Sequence, residues 1–252
     1  MAPHSVRAVP LKEVVHYAAE QKLPVHMHVA EQPAEVIACT EEYGRSPVSL
    51  LHSEGLLSER FTGVHVIHIT PAEICVFAQA GATVCACPTT ERNLGDGIVP
   101  ADLFFKYGVQ LSLGTDSNVQ IDLLEDVREL EYHLRLKRME RVILAPTGEV
   151  SSSALAAHLF ECTTIGGAQS IGAPVGKLEP GMGLDFFTVD LNDPSLAGSS
   201  EHDLIASIVF SLSRTAVCDV VVGGKQIVSQ RRHQAQEEIV RQFTKVQRTL
   251  WS

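Results

Sequence analysis

Basic residues are in short supply. Twenty lysines and arginines stand against thirty aspartates and glutamates, a formal charge of −10 over 252 residues. A face suited to nucleic acid wants the opposite sign, so no nucleic-acid partner is expected. Long apolar runs are also lacking. The longest stretch without Asp, Glu, Lys or Arg, residues 74–90, is interrupted by Gly81 and Pro88. It reads as helix, turn and strand, not as a membrane span. The opening Met1-Ala2-Pro3-His4 has neither a basic segment nor an apolar one behind it, so no secretory signal is expected. The six cysteines (39, 75, 85, 87, 162 and 218) include no CxxC pair and no scaffold spacing. They are expected to be reduced core thiols in a cytoplasmic protein, with Cys85 and Cys87 on opposite faces of a strand. No internal repeat or low-complexity segment is present.

What is there is ordinary globular composition: 45% hydrophobic and 20% charged residues, in a chain long enough for one α/β barrel. Helices are predicted from Pro10 to about Lys22, over 33–43, 46–54 and 100–107, and from about Asp122 to Met139. Strands are predicted over 25–29, 64–69, 82–87 and 109–113. "TPAE" at 70–73 is a helix start, with Thr70 as N-cap, Pro71 at the first position and Glu73 closing a capping box. "CPTTERNLGDG" reads as a polar loop. Charge-free strands alternating with helices indicate a parallel sheet covered on both faces. Four such units are half of an eight-stranded barrel. Beyond residue 140 the chain reads as a capped helix, a Gly/Pro-rich turn feeding a short strand, a hairpin around Gly223-Gly224 and a terminal helix over 234–250. The expected division is 1–180 for the partial barrel and 181–252 for a small β appendage with the C-terminal helix.

In a parallel barrel, functional side chains gather where strands end and loops begin. The first strand ends in His28 and Glu31, the second carries His65 and His68, and the fourth ends in "GTDSN" with Asp116. Imidazole nitrogens with a carboxylate suit Zn²⁺ or Fe²⁺, and such a metal brings a water's pKa toward neutrality. A carboxylate beside it, here Glu31, can carry a proton to a leaving nitrogen. Each piece has an ordinary structural alternative. A lone strand histidine is commonly a hydrogen-bonded core residue, either His26 or His28 can be structural, and "TDS" after a strand is often only an N-cap. It is the succession on neighbouring strands that points to a metal site.

The order His-x-x-Glu, then His, then a strand-end Asp resembles the second half of the amidohydrolase superfamily, in particular its deaminases. Longer strings, "PHSVRAV" (3–9), "HMHVAEQ" (26–32), "CPTTERNLGDGI" (87–98), "GTDSN" (114–118) and "LLEDVRELEYHLRL" (123–136), are similar to the formimidoylglutamate deiminase family within it. The resemblance implies the C-terminal half of a metal-dependent (β/α)8 barrel. It implies His28 and Asp116 as ligands of one divalent metal, zinc in the first place and iron as the other choice. Glu31 and His65 become the proton-handling pair, with Asp116 deprotonating the water, while His4 and Arg7 hold the substrate's glutamate part. Arg grips carboxylates through paired hydrogen bonds, though an arginine beside a helix start can equally be a solvated charge. The implied reaction is hydrolysis of N-formimidoyl-L-glutamate to N-formyl-L-glutamate and ammonia, in histidine degradation. The resemblance implies a small-molecule substrate, no membrane, and a homodimer of the full-length enzyme. The His-x-His strand that opens such metal sites is not found upstream. Two other readings therefore stay open: a nucleobase-type aminohydrolase, and a non-catalytic truncated fragment.

Overall fold

The computed structural model describes residues 1–7 and 10–251, so Ala8 and Val9 of the 3–9 string lie outside the described residues. The chain divides into two units, Met1–Pro174 and Val175–Ser252.

The first unit alternates helix and strand: α1 Leu11–Glu20, β1 Val25–Val29, α2 Pro33–Tyr43, α3 Pro47–Ser53, β2 Phe61–His65, α4 Pro71–Ala80, β3 Thr83–Ala86, α5 Pro88–Leu94, α6 Ala101–Tyr107, β4 Gln110–Leu113 and α7 Leu123–Arg138. Helix α8, Ser152–Glu161, passes through a π turn, Cys162–Gly166, into α9, Gly167–Ser170. The four strands pair in parallel in the order β1-β2-β3-β4, a partial (β/α) barrel. On β1, Val25, Met27 and Val29 are buried while His26 and His28 are only partly so. The other edge of β1 is met by the chain start, since His26 and His28 donate their N–H groups to the carbonyls of Met1 and His4.

Local chemistry sets the helix starts. Thr70 and Glu73 form the expected capping box on α4, where Glu73 is buried and also accepts from Ser46 and Ser49. Elsewhere the structure departs from the sequence reading. The predicted strand 64–69 is shifted, because Phe61 pairs with Val25 and the strand ends at His65, where the backbone turns left-handed. The stretch taken as a polar loop contains α5, started by Pro88 at its first position. Cys85 and Cys87 do not point to opposite faces. Residues two apart on a strand share a face, and both sulfurs lie against Gly114, 3.3 and 3.5 Å from where a Cβ would stand there. All six cysteines are free.

The second unit holds an antiparallel sheet in the order β5-β6-β7-β8, from β5 Phe186–Val189, β6 Val217–Val222, β7 Lys225–Ser229 and β8 Arg232–His233. Gly223-Gly224 turns the hairpin between β6 and β7, as expected. The unit also contains α10, Leu204–Ser211, and α11, Gln236–Leu250. Helix α10 was not predicted; its eight residues are too uniformly apolar to display a helical period. Among the described residues, no helix is long and apolar enough to cross a membrane.

Candidate metal and proton-transfer site

Parallel register brings the strand ends to one level. His28 pairs with Val64 and Val29 with His65, and the two imidazoles stack with centroids 5.6 Å apart and 13° between planes. The backbone is left-handed at Ala30 (φ 51°), His65 (φ 70°), Val66 (φ 51°) and Asp116 (φ 53°). Each such non-glycine residue costs on the order of 1–3 kcal/mol and persists only where its surroundings hold it. Here they cluster where β1, β2 and β4 give way to loops.

His65 is the centre of the cluster, with its side chain 1% exposed. Its Nδ1 lies 3.2 Å from Glu91 Oε1, and its Nε2 lies 3.6 Å from Glu31 Oε1 and 3.9 Å from Asp116 Oδ2. The last two distances exceed a hydrogen bond, and Nε2 has no hydrogen-bond partner among the described residues. A buried nitrogen left this way marks a place where another group belongs. Burial opposes charge on His65, but the Glu91 hydrogen bond and charge, with Glu31 and Asp116 behind them, outweigh it and raise its pKa. Burial likewise lifts the Glu91 carboxyl, against the pull of His65 and of the Cys87 N–H. Both shifts favour keeping a proton on the pair.

His28 is set up differently. Its Nδ1 is 2.8 Å from the carbonyl oxygen of His4. A carbonyl only accepts, so the proton sits on Nδ1 and the Nε2 lone pair is free, the state in which imidazole binds a metal. Asp116, whose Oδ2 lies 3.9 Å from His65 Nε2, adds a carboxylate oxygen, a donor type that suits a divalent ion beside an imidazole; two such donors are fewer than the three protein ligands usual in a catalytic site. His65, Cys87 and Glu91 also bring potential ligand atoms within 4.8 Å of one another. That trio suits a metal less well. Glu91 Oε1 already accepts the Cys87 N–H at 2.8 Å, and the Cys85 hydrogen bond and burial push the Cys87 thiol away from ionisation.

His4, Arg7, His28, Glu31, Gln32 and Glu35 line one cleft of about 450 Å³. Glu35 accepts the Glu31 N–H at 2.9 Å, and burial raises its pKa. Arg7 Nε is 2.9 Å from Glu42 Oε2, with both side chains about half exposed. A larger hollow of about 590 Å³ lies at the opposite end of β4, around Gly108, Val109, Phe105 and His158, away from this cluster.

The structure thus brings His28, Glu31, His65 and Asp116 together, with His4 and Arg7 on the adjoining cleft. Other histidines are occupied elsewhere. His26 Nε2 bonds the carbonyl of Ser170 at 2.7 Å, His68 that of Asp96 at 2.8 Å and His158 that of Leu144 at 2.9 Å, while His133 pairs with Glu129 at 2.6 Å. Glu91 escaped the sequence reading. A glutamate in the first turn after Cys-Pro looks like an ordinary helix cap, and nothing local shows that it faces a histidine 26 residues away.

Residues 1–227 match the amidohydrolase family. The chain is 37% identical over 245 residues to formimidoylglutamate deiminase of Pseudomonas aeruginosa, covering 96% of this chain and 53% of that protein. It is 30% identical over 238 residues to 5-methylthioadenosine/S-adenosylhomocysteine deaminase of Natronomonas pharaonis, covering 92% and 52%. Among solved structures, an amidohydrolase from Brucella melitensis superimposes with a TM-score of 0.89 at 34% identity, over 100% of this chain and 55% of that one. An adenosine deaminase from Xanthomonas campestris with bound zinc gives 0.86 at 28% identity, over 98% and 57%. The chain spans about half the length of the curated relatives it matches. Strand order, strand-end chemistry and these similarities agree: the chain belongs to the amidohydrolase family.

Proposed function

We propose that this chain carries the C-terminal half of the active site of a metal-dependent hydrolase that deiminates N-formimidoyl-L-glutamate to N-formyl-L-glutamate and ammonia. The observation behind it is the buried, unpartnered Nε2 of His65, flanked by Glu31 and Asp116 and stacked beside His28. His28 and Asp116 would hold one divalent ion, zinc before iron(II), with the remaining ligands drawn from the portion of the relatives that this chain does not span. Once bound, that ion supplies a Lewis acid that makes water a usable nucleophile at neutral pH. Asp116 takes the proton from the attacking water. His65 steadies the imine nitrogen, and Glu31 delivers the proton that lets ammonia depart.

Specificity rests on Arg7 and His4. The Arg7 guanidinium lines the cleft with Glu31 and, among the described residues, is tied only to the exposed Glu42, a pair worth on the order of 0–1 kcal/mol. A substrate carboxylate can displace that partner at little cost. Similarity to a methylthioadenosine deaminase supports a second reading, a purine-type aminohydrolase with no use for Arg7.

One assay separates the two. The chain is combined with the complementary half of a full-length relative and supplied with zinc, and ammonia release is measured from N-formimidoyl-L-glutamate and from 5′-methylthioadenosine. Release from the first substrate alone is expected. Arg7→Ala should remove it while the melting temperature stays within a degree or two. Turnover of methylthioadenosine that is indifferent to Arg7→Ala would favour the purine reading.

A further inference from the structure

We infer that Glu91 is a positioning residue of this site: it locks the His65 ring and keeps a proton on Nδ1, so that Nε2 is the nitrogen presented to Glu31 and Asp116. The inference rests on His65 being a proton-handling residue, but its test reads the ring itself, and so can fail without the functional reading failing.

The geometry is that of a clamp. Glu91 is 1% exposed and stands in the first turn of α5, anchored through Oε1 to the Cys87 N–H at 2.8 Å. The same oxygen faces His65 Nδ1 at 3.2 Å. One oxygen thus joins the end of β3 to the end of β2, where two successive left-handed residues, His65 and Val66, must be held. Burying a carboxylate is costly unless it is paired. Capping α5 needs neither a charge nor an imidazole at that distance, since a neutral acceptor would serve the Cys87 N–H equally well. The His65 ring accounts for the charge. With Nδ1 engaged and the ring 1% exposed, the opposite nitrogen is left facing Glu31 and Asp116. A carboxylate that orients a histidine through its far nitrogen fixes both tautomer and ring direction.

The test is histidine-labelled nitrogen and proton NMR on the chain joined to the complementary half used above, with His65 assigned by its loss in His65→Asn. The parent should show a protonated Nδ1 and a downfield Nδ1–H resonance, the mark of a charge-assisted bond to a carboxylate. In Glu91→Gln the amide oxygen can replace Oε1, so Nδ1 stays protonated while its proton moves upfield, with little change in melting temperature. In Glu91→Leu the Nδ1 preference should be lost and the ring signals should broaden. A parent ring with unprotonated Nδ1, or an Nδ1–H resonance unmoved in folded Glu91→Gln, overturns the inference even if Glu91→Leu does not fold. A purely capping role would lower the melting temperature of Glu91→Leu and leave the ring signals of its folded fraction unchanged.

Discussion

At Asp126 a carboxyl is fully buried in the first turn of α7, taking the Thr89 N–H at 2.9 Å while its Oδ2 finds no partner. Burial, against the Thr89 bonds, raises its pKa from the ordinary 3.8 to about 6. Between those values the folded chain keeps a proton that the unfolded chain releases. Stability drawn from Asp126 is therefore present below about pH 4 and is lost as pH rises toward 6. A shift of this size corresponds to roughly 3 kcal/mol at most. Asp126→Asn keeps an acceptor for Thr89 and removes the titration. Urea unfolding at pH 4.5 and pH 7 should show the variant gaining on the parent as pH rises, and matching or exceeding it at pH 7. A difference between the two proteins that does not change with pH would show that Asp126 is not held protonated.

Among the elements, the π turn between α8 and α9 is packed tightly against β4. At Gly166 an added Cβ would run into the carbonyl oxygen of Leu111 on β4, backbone against backbone, where no side chain can swing aside. Gly166→Ala should therefore cost about 3 kcal/mol or more, at the upper end of overpacking effects. Its neighbour is the control. Gly167 has ordinary helical geometry and 4.0 Å of clearance to Cys162 O, so Gly167→Ala should be neutral or stabilising by up to about 1 kcal/mol. Thermal melts followed by circular dichroism measure both. The element scale also shows how much was legible in advance. Helices α2, α6 and α7 were readable from their periodicity and α4 from its capping box, because those signals lie within a few residues. Helix α5 was hidden by its polar composition, although Pro88 marks its start, and β2 was misplaced because His65, which looks like the middle of a strand, is where the strand ends.

For the whole molecule, surface left apolar is the decisive feature. Helix α11 buries none of its residues, and Ile239, Val240, Phe243, Val246 and Leu250 along it are each more than half exposed. A run of that kind favours association. In the first unit, β4 is an edge strand among the described residues, and only His28 and Asp116 are proposed as ligands. The isolated chain is therefore expected to self-associate and to bind zinc weakly. Joined to the half of a relative that it does not span, it should become monodisperse and take up about one zinc together. Light scattering and metal analysis on the same samples check this. A monomeric isolated chain that holds one zinc tightly would mean that other residues complete the site.

The sequence by itself determined the order in which the strands present their polar ends: His28 and Glu31, then His65, then Asp116. It did so because strand alternation, helix caps and residue type are local properties. Only the tertiary structure decided which histidine is free. His26 and His28 share a face of β1, yet His26 is taken by the carbonyl of Ser170, 144 residues away, while His28 uses Nδ1 on His4 and keeps Nε2 open. The structure likewise paired His65 with Glu91, since a buried imidazole and a buried carboxylate each need the other once water is gone. Such pairings are set by which elements fold against each other, a property of the packed chain that no stretch of its sequence carries alone.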